Sequence, residues 1–274
     1  MKNVNVLFTN PPYHSLNEDG VAIGRLWWNI VIKSLKGNPE RAMLIVPSSF
    51  HTPGSFPTSR YKLTKLLNMG YHITRLQSDI CKRFDNVSIP ISYINLSREV
   101  PEVSYIDGHP FTLKNNLLDG RFPIPFYASK NSCNIIRKCF NDTKPTYPWK
   151  GYLNKETANP ESYAVVLESG RFGYYHNRHV GKLNECKAYG ETFYYHESIH
   201  DSIVSIFNLK LYRYMFRIMG GESQQSRSAS IKSCPRLSSD RIWTDEEVYK
   251  KFDLSDEEID EIEADFAGKY KRWM

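Results

Sequence analysis

The chain has 274 residues, with 36 Lys and Arg against 30 Asp and Glu, a formal charge of +6, and a surplus of aromatics that includes 18 Tyr and 14 Phe. That length is enough for one large domain or two of ordinary size around a real core. No apolar run approaches bilayer-spanning length, no signal-like segment opens the chain, and the five cysteines contain no Cys-x-x-Cys pair; a membrane span, a disulfide scaffold and a zinc ribbon are set aside, and a cytoplasmic address is expected.

In chain order, the apolar run of "VNVLFTNPPY" reads as a strand that stops at Asn10-Pro11-Pro12-Tyr13, a rigid turn. Residues 21–40 repeat apolar positions at helical spacing and end at Gly37-Asn38-Pro39. "RAMLIVPSSF" is a strand, "TSRYKLTKLLNMG" an amphipathic helix closed by Gly70, and "YHITRLQSDI" a further strand. "VSIPISYINLSRE" alternates and carries Pro90, which predicts a bulge or an edge position. Strand, helix, strand, helix, strand, strand is the order of an open α/β sheet, whose ligands sit beyond the carboxyl ends of the strands.

From about residue 100 the helical period fades, and short aromatic strands such as "SYAVVLES" and "ETFYYHES" alternate with Gly, Pro and Asn turns. Residues 200–221 return to one helix rich in Tyr, Phe and Arg, followed by a Ser-rich stretch. Two capping boxes, Thr244 with Glu247 and Ser255 with Glu258, predict two short acidic helices. Residues 244–265 hold 11 acidic against 2 basic side chains, so the rest of the chain is a basic body whose many rings suit a polyanion with stackable bases. Three parts are expected: 1–100, 101–243 and a helical tail over 244–274.

The chemistry of the first turn is specific. An Asn side-chain oxygen and the carbonyl of Pro11 can both accept hydrogen bonds from one amino group, and Tyr13 can stack on a base lifted out of a duplex while Pro11 and Pro12 hold the turn. The nitrogen of adenine N6 is a poor nucleophile because its lone pair is delocalised into the ring. Two acceptors around it favour the more tetrahedral amine that attacks a methyl sulfonium.

A strand followed by NPPY resembles the catalytic motif of the N6-adenine DNA methyltransferases, in particular those of type II restriction-modification systems with a catalytic domain followed by a target-recognition domain. The resemblance continues through "RAMLIVPSSF", which is similar to the next sheet strand, "FDNVSIPISYINL", similar to the hairpin that lines the target-base pocket, and "PRLSSDRIWTDEEVYKKFDLSDEEIDEIE", similar to the closing segment. It implies an α/β protein: a partial Rossmann-like methyltransferase sheet, then a mainly β target-recognition module and a short helical tail. It also implies Asn10, Pro11, Pro12 and Tyr13 as the catalytic turn, Phe84 or Tyr93 as a second contact to the flipped base, double-stranded DNA as substrate and S-adenosyl-L-methionine as methyl donor.

In that family the donor is held by a glycine-rich turn and an acid upstream of NPPY, and only nine residues precede Asn10 here. Downstream, Gly170 and Gly173 in "AVVLESGRFGYYHN" are followed by no amphipathic helix and no acid-ended strand. A second subunit carrying the donor-binding half is therefore expected, or pairing with a second copy through the unpaired edge of the opening strand.

Arg171, Arg178, Lys182, Lys210, Arg213 and Arg217, interleaved with Phe172, Tyr174, Tyr175, Tyr212 and Tyr214, are expected to face DNA, with solvated charge over an aromatic core as the plainer alternative. "HESIH", with His196 and His200, matches a short zinc-peptidase pattern that straddles an expected strand-to-helix junction, and a zinc role is not expected. The rival reading of the whole chain is a non-catalytic DNA-binding or specificity subunit, or a degenerate methylase that modulates a complete one.

Overall fold

A computed structural model describes residues 5–13, 15–16, 22–23, 26–51, 58–78, 80, 83, 91–112, 124–126, 128–140, 149–150, 163–169, 175–182, 185, 191–195, 199–220 and 234–270. The chain is a mixed α/β protein with seven α-helices among the described residues, and it divides into two compact units, 1–133 and 134–274.

The first unit opens with β1 (Val6–Thr9), a two-residue-stranded hairpin of β2 (Ser15–Leu16) and β3 (Ala22–Ile23), helix α1 (Leu26–Leu35) and β4 (Arg41–Pro47). Helix α2 (Thr58–Asn68), β5 (His72–Gln77), β6 (Ile91–Ser97), β7 (Val103–Ile106) and β8 (His109–Thr112) follow. Six of these strands form one sheet in the order β1-β4-β6-β5-β7-β8. β1 and β4 are parallel, as are β5 and β7, while β6 lies antiparallel between β4 and β5.

Because side chains alternate along a strand, the register sorts residues into two faces. Leu44, Ile94, Leu76 and Ile106 fall in one row across four strands and are buried. This face carries the core, where α1 presents Trp27, Val31 and Leu35, one per turn, and α2 adds Leu63 and Leu66. The ammonium of buried Lys62 lies 4.4 Å from the centroid of the Trp27 ring, a cation–π contact that offsets part of its desolvation. Gly70, at φ 77°, closes α2: its N–H donates to Leu67 O and that of Tyr71 to Leu66 O, and no β-carbon is in the way of the left-handed turn.

The larger elements up to residue 100 come in the order read from the sequence, but three details differ. The β2–β3 hairpin was not expected, and Ala22–Ile23 pairs in it, so the helix begins only at Leu26. β6 begins at Ile91 and is an internal strand, so the edge position is not taken, and Pro90 itself lies outside the described residues. The sheet also continues beyond residue 100. Asp107 and Gly108 both have positive φ, 49° and 89°, and make the tight turn that adds β7 and β8.

Helix α3 (Lys130–Cys139) spans the boundary of the two units. The second unit has an antiparallel sheet of β9 (Trp149–Lys150), β10 (Tyr163–Ser169), β11 (Tyr175–Lys182) and β12 (Glu191–Tyr195) in the order β11-β10-β12-β9. Helices α4 (His200–Asn208), α5 (Lys210–Gly220), α6 (Asp245–Lys251) and α7 (Asp256–Tyr270) complete it. The single helix expected over 200–221 is broken at Leu209, whose ψ of 141° is extended, and the Asp245 carboxylate accepts from the Lys210 N–H at the start of α5. Both capping boxes form: Thr244 N–H donates to Glu247 and Glu247 N–H to Thr244 Oγ1, and Ser255 and Glu258 make the same reciprocal pair. No described helix is long and apolar enough to cross a membrane.

Candidate active site

Asn10, Pro11, Pro12 and Tyr13 follow directly on β1 at its carboxyl end. The parallel strand β4 ends beside it, and β6, running the other way, begins there with Ile91 opposite Pro47. Pro11 is buried, which anchors the turn, whereas Asn10 and Pro12 are exposed. Tyr13 is half-buried, packs against the core of the first unit, and its hydroxyl donates to Asn10 Oδ1 at 3.2 Å. The turn thus presents a polar amide at the surface beside a ring held by the core.

Of the two aromatics expected as a second base contact, Tyr93 lies on β6 opposite Ile45 of β4, near the carboxyl ends of β1 and β4. Its hydroxyl donates to Met43 Sδ at 3.6 Å. Phe84 lies outside the described residues.

A polar network that the sequence reading did not single out stands at the same end of the sheet. Ser48 and His51 follow β4, Ser78 follows β5, and Ser92 opens β6; all four are buried. His51 Nδ1 is 3.0 Å from the carbonyl of Ile124, which only accepts, so Nδ1 carries the proton and Nε2 accepts from Ser92 Oγ at 2.8 Å. Ser48 Oγ donates to Ser78 O at 2.9 Å. Asp107 accepts from Ser78 N–H, Ser78 Oγ and Ala128 N–H at 2.7, 2.6 and 3.0 Å. Burial lowers the His51 pKa to about 4, so the ring is neutral at physiological pH. With both partners inaccessible, the Ser92–His51 pair is a structural bond that fixes the loops beyond β4 and β5, not a nucleophile. The polar run Ser48-Ser49 directly after an apolar strand was its only sequence signal.

The residues expected to face DNA are divided. Lys182 is exposed on β11, an outer strand of its sheet, and Arg178 stands on the same strand; Arg171 lies outside the described residues. Lys210, Arg213 and Arg217 lie on α5 and are engaged by α7 instead of forming a free basic stripe. Lys210 Nζ is 2.7 Å from Glu263 Oε2, and this hydrogen bond raises the lysine pKa. Arg217 pairs with Asp265 at 2.6 Å, and Arg213, 6% exposed, lies 4.6 Å from the centroid of Phe266. The physical reason is the helix itself: Leu211 through Phe216 are six consecutive buried residues, so α5 is enclosed on all sides and its cations need partners within the fold.

Of the zinc pattern's His, Glu and His, only His200 is among the described residues. His200 opens α4 with Nε2 2.6 Å from Asp201 Oδ1, His196 lies outside the described residues, and among the described residues no group of three or more His, Cys, Asp or Glu could hold a metal ion. Nor do the described glycines form a donor-binding turn. Gly37, Gly70 and Gly220 end helices, Gly108 turns a hairpin, Gly181 is within β11 and Gly268 within α7, so none leads from a strand into a helix, and Gly170 and Gly173 lie outside the described residues. No model of a known protein family matches the sequence, and a search of curated proteins gives no match.

Proposed function

We propose that this chain is the catalytic-turn and target-recognition part of an N6-adenine DNA methyltransferase whose donor-binding half is carried by a partner polypeptide. The observation that carries the reading is the placement of Asn10-Pro11-Pro12-Tyr13 at the carboxyl end of a parallel strand in an open sheet, with the Asn10 amide exposed and Tyr13 against it. The order of parallel β1 and β4 followed by the antiparallel β6 supports a partial methyltransferase sheet.

In this reading Asn10 Oδ1 and the Pro11 carbonyl accept the two N6 protons of an extruded adenine. That geometry draws the nitrogen lone pair out of ring conjugation and directs it toward the donor site. Burial of Pro11 keeps the two acceptors in place before the base arrives, so little ordering remains to be done on binding. Bound S-adenosylmethionine would supply the methyl group; the described residues of this chain offer it no glycine-rich cradle. That same observation favours the second reading, a non-catalytic specificity subunit. The two are separated by assaying transfer of labelled methyl to mixed-sequence duplex DNA with the complex isolated from cells that naturally make the chain, carrying either the parent sequence or Asn10→Ala. Label on adenine N6 that is lost in the variant is expected; label that persists in the variant, or none with the parent, overturns the proposal.

The Tyr13 hydroxyl occupies one of the two acceptor sites of Asn10 Oδ1 and leaves the other for the substrate. Tyr13→Phe is therefore expected to leave transfer by the complex within a few-fold of the parent, whereas Tyr13→Ala weakens binding of the extruded base by about 1–3 kcal/mol, the usual worth of one base–aromatic stack. Steady-state kinetics on both variants checks this, and equal losses would assign the work to the hydroxyl. Lys210→Ala is expected to destabilise the second unit by about 1 kcal/mol through loss of its partly exposed ion pair. The slope of log affinity for DNA against log salt should stay unchanged; a slope smaller by about one would identify a phosphate contact.

A further inference from the structure

The two edges of the six-stranded sheet differ in kind. β8, at one edge, contains Pro110, which has no N–H to offer and blocks further pairing. β1, at the other, has no proline, no charge and no bulge, and its Val-Leu-Phe run is the continuous apolar pattern of a strand covered on both faces. Val6 is nevertheless 51% exposed and Phe8 64%.

The exposure continues across the sheet. The register places Phe8, Met43, Asn95, Arg75 and Tyr105 in one row over β1, β4, β6, β5 and β7. Phe8, Met43, Arg75 and Tyr105 are exposed, and Asn95 Oδ1, in the middle of the row, has no hydrogen-bond partner among the described residues. Arg41, opposite Val6, adds a second guanidinium to this face. Both described helices of the sheet's crossovers serve the opposite face, with the core.

Resting on the methyltransferase reading, we propose that the β1 edge and this row form the docking surface for the donor-binding partner, a polypeptide that adds one strand beside β1 and lays two amphipathic helices, with acidic residues facing Arg41 and Arg75, over the row. Geometry selects this occupant over a second copy. Five strands span four spacings of about 4.8 Å, or roughly 19 Å, which is the width of two helices packed about 10 Å apart. Pairing β1 with its copy would cover Val6 and Phe8, roughly 200 Å² against the about 800 Å² per partner of a stable interface, and leave Tyr105, four strands away, exposed.

The test places a photoreactive benzophenone amino acid at position 8, at position 105 or, as control, at the exposed Val100 outside the row, in the full chain made in its natural cells. Irradiation is expected to join positions 8 and 105, but not 100, to one polypeptide whose sequence carries a glycine-rich strand-to-helix turn and acidic helices, and Phe8→Lys should reduce its recovery tenfold or more without altering the chain's thermal unfolding. An adduct only with a second copy, equal adducts from all three positions, or none overturns the proposal. Methyl transfer by the chain alone with no adduct would overturn the docking surface and the partner-borne donor site, and leave only the adenine methylation itself standing. An adduct with a strand-and-helix partner that lacks the glycine turn would uphold the surface and count against that reading.

Discussion

Asn10→Ala in the isolated complex is expected to lower methyl transfer by at least about 10²–10³-fold, the usual consequence of deleting one preorganised hydrogen-bonding group at a reacting centre. The side chain is exposed and its one described hydrogen bond is the one received from Tyr13, so the fold loses little when it is removed. DNA affinity should stay within a few-fold, because phosphate contacts, not the amino-group clamp, dominate binding. Asn10→Asp keeps an acceptor oxygen at the same place and should retain more activity than Ala. Titration of labelled duplex alongside single-turnover transfer measures both quantities; parallel loss of affinity and rate would make Asn10 a binding residue.

The second large effect concerns acid. His51 is fully buried and neutral, with a pKa of about 4 in the fold against 6.5 when exposed. Between those values the unfolded chain binds the proton and the fold does not. The stabilisation from a neutral His51 is therefore fully present above pH 6.5 and is lost as pH falls toward 4, a change of about 3 kcal/mol at 1.36 kcal/mol per unit. Hydrogen exchange at the buried amides of Ile94 and Leu96, followed over that range, reports it. His51→Gln should start less stable and show a flatter profile; an equally steep profile would place the proton elsewhere.

Much of this architecture is legible in sequence because local signals and tertiary packing agree. The apolar period marks α1, and the glycine at 70 and the Thr244 and Ser255 boxes each fix a helix end by satisfying backbone groups left open there. The hairpin of β7 and β8 turns on Asp107-Gly108, a local signal that the sequence reading passed over, and its membership in the first sheet depends on the parallel pairing of Arg75 with Tyr105, which no local pattern encodes. The break at Leu209 follows from a contact between Lys210 and Asp245, 35 residues apart, against a helical period that runs through it.

The site divides in the same way. Asn10 and Tyr13 are three residues apart on a stiff turn, so their meeting is local. The His51 network joins loops 41 and 73 residues apart in sequence, through Ser92 and Ile124, and is visible only once the strands are ordered. The α5 cations pair with residues of the acidic helix more than 45 positions further along the chain, contacts that no local charge pattern encodes.

If this chain holds adenine N6 for methylation, mass spectrometry of the DNA of cells that naturally make it will show N6-methyladenine when the gene is intact and its loss when the gene carries Asn10→Ala. Equal methylation in both would mean that Asn10 does not hold the reacting amino group.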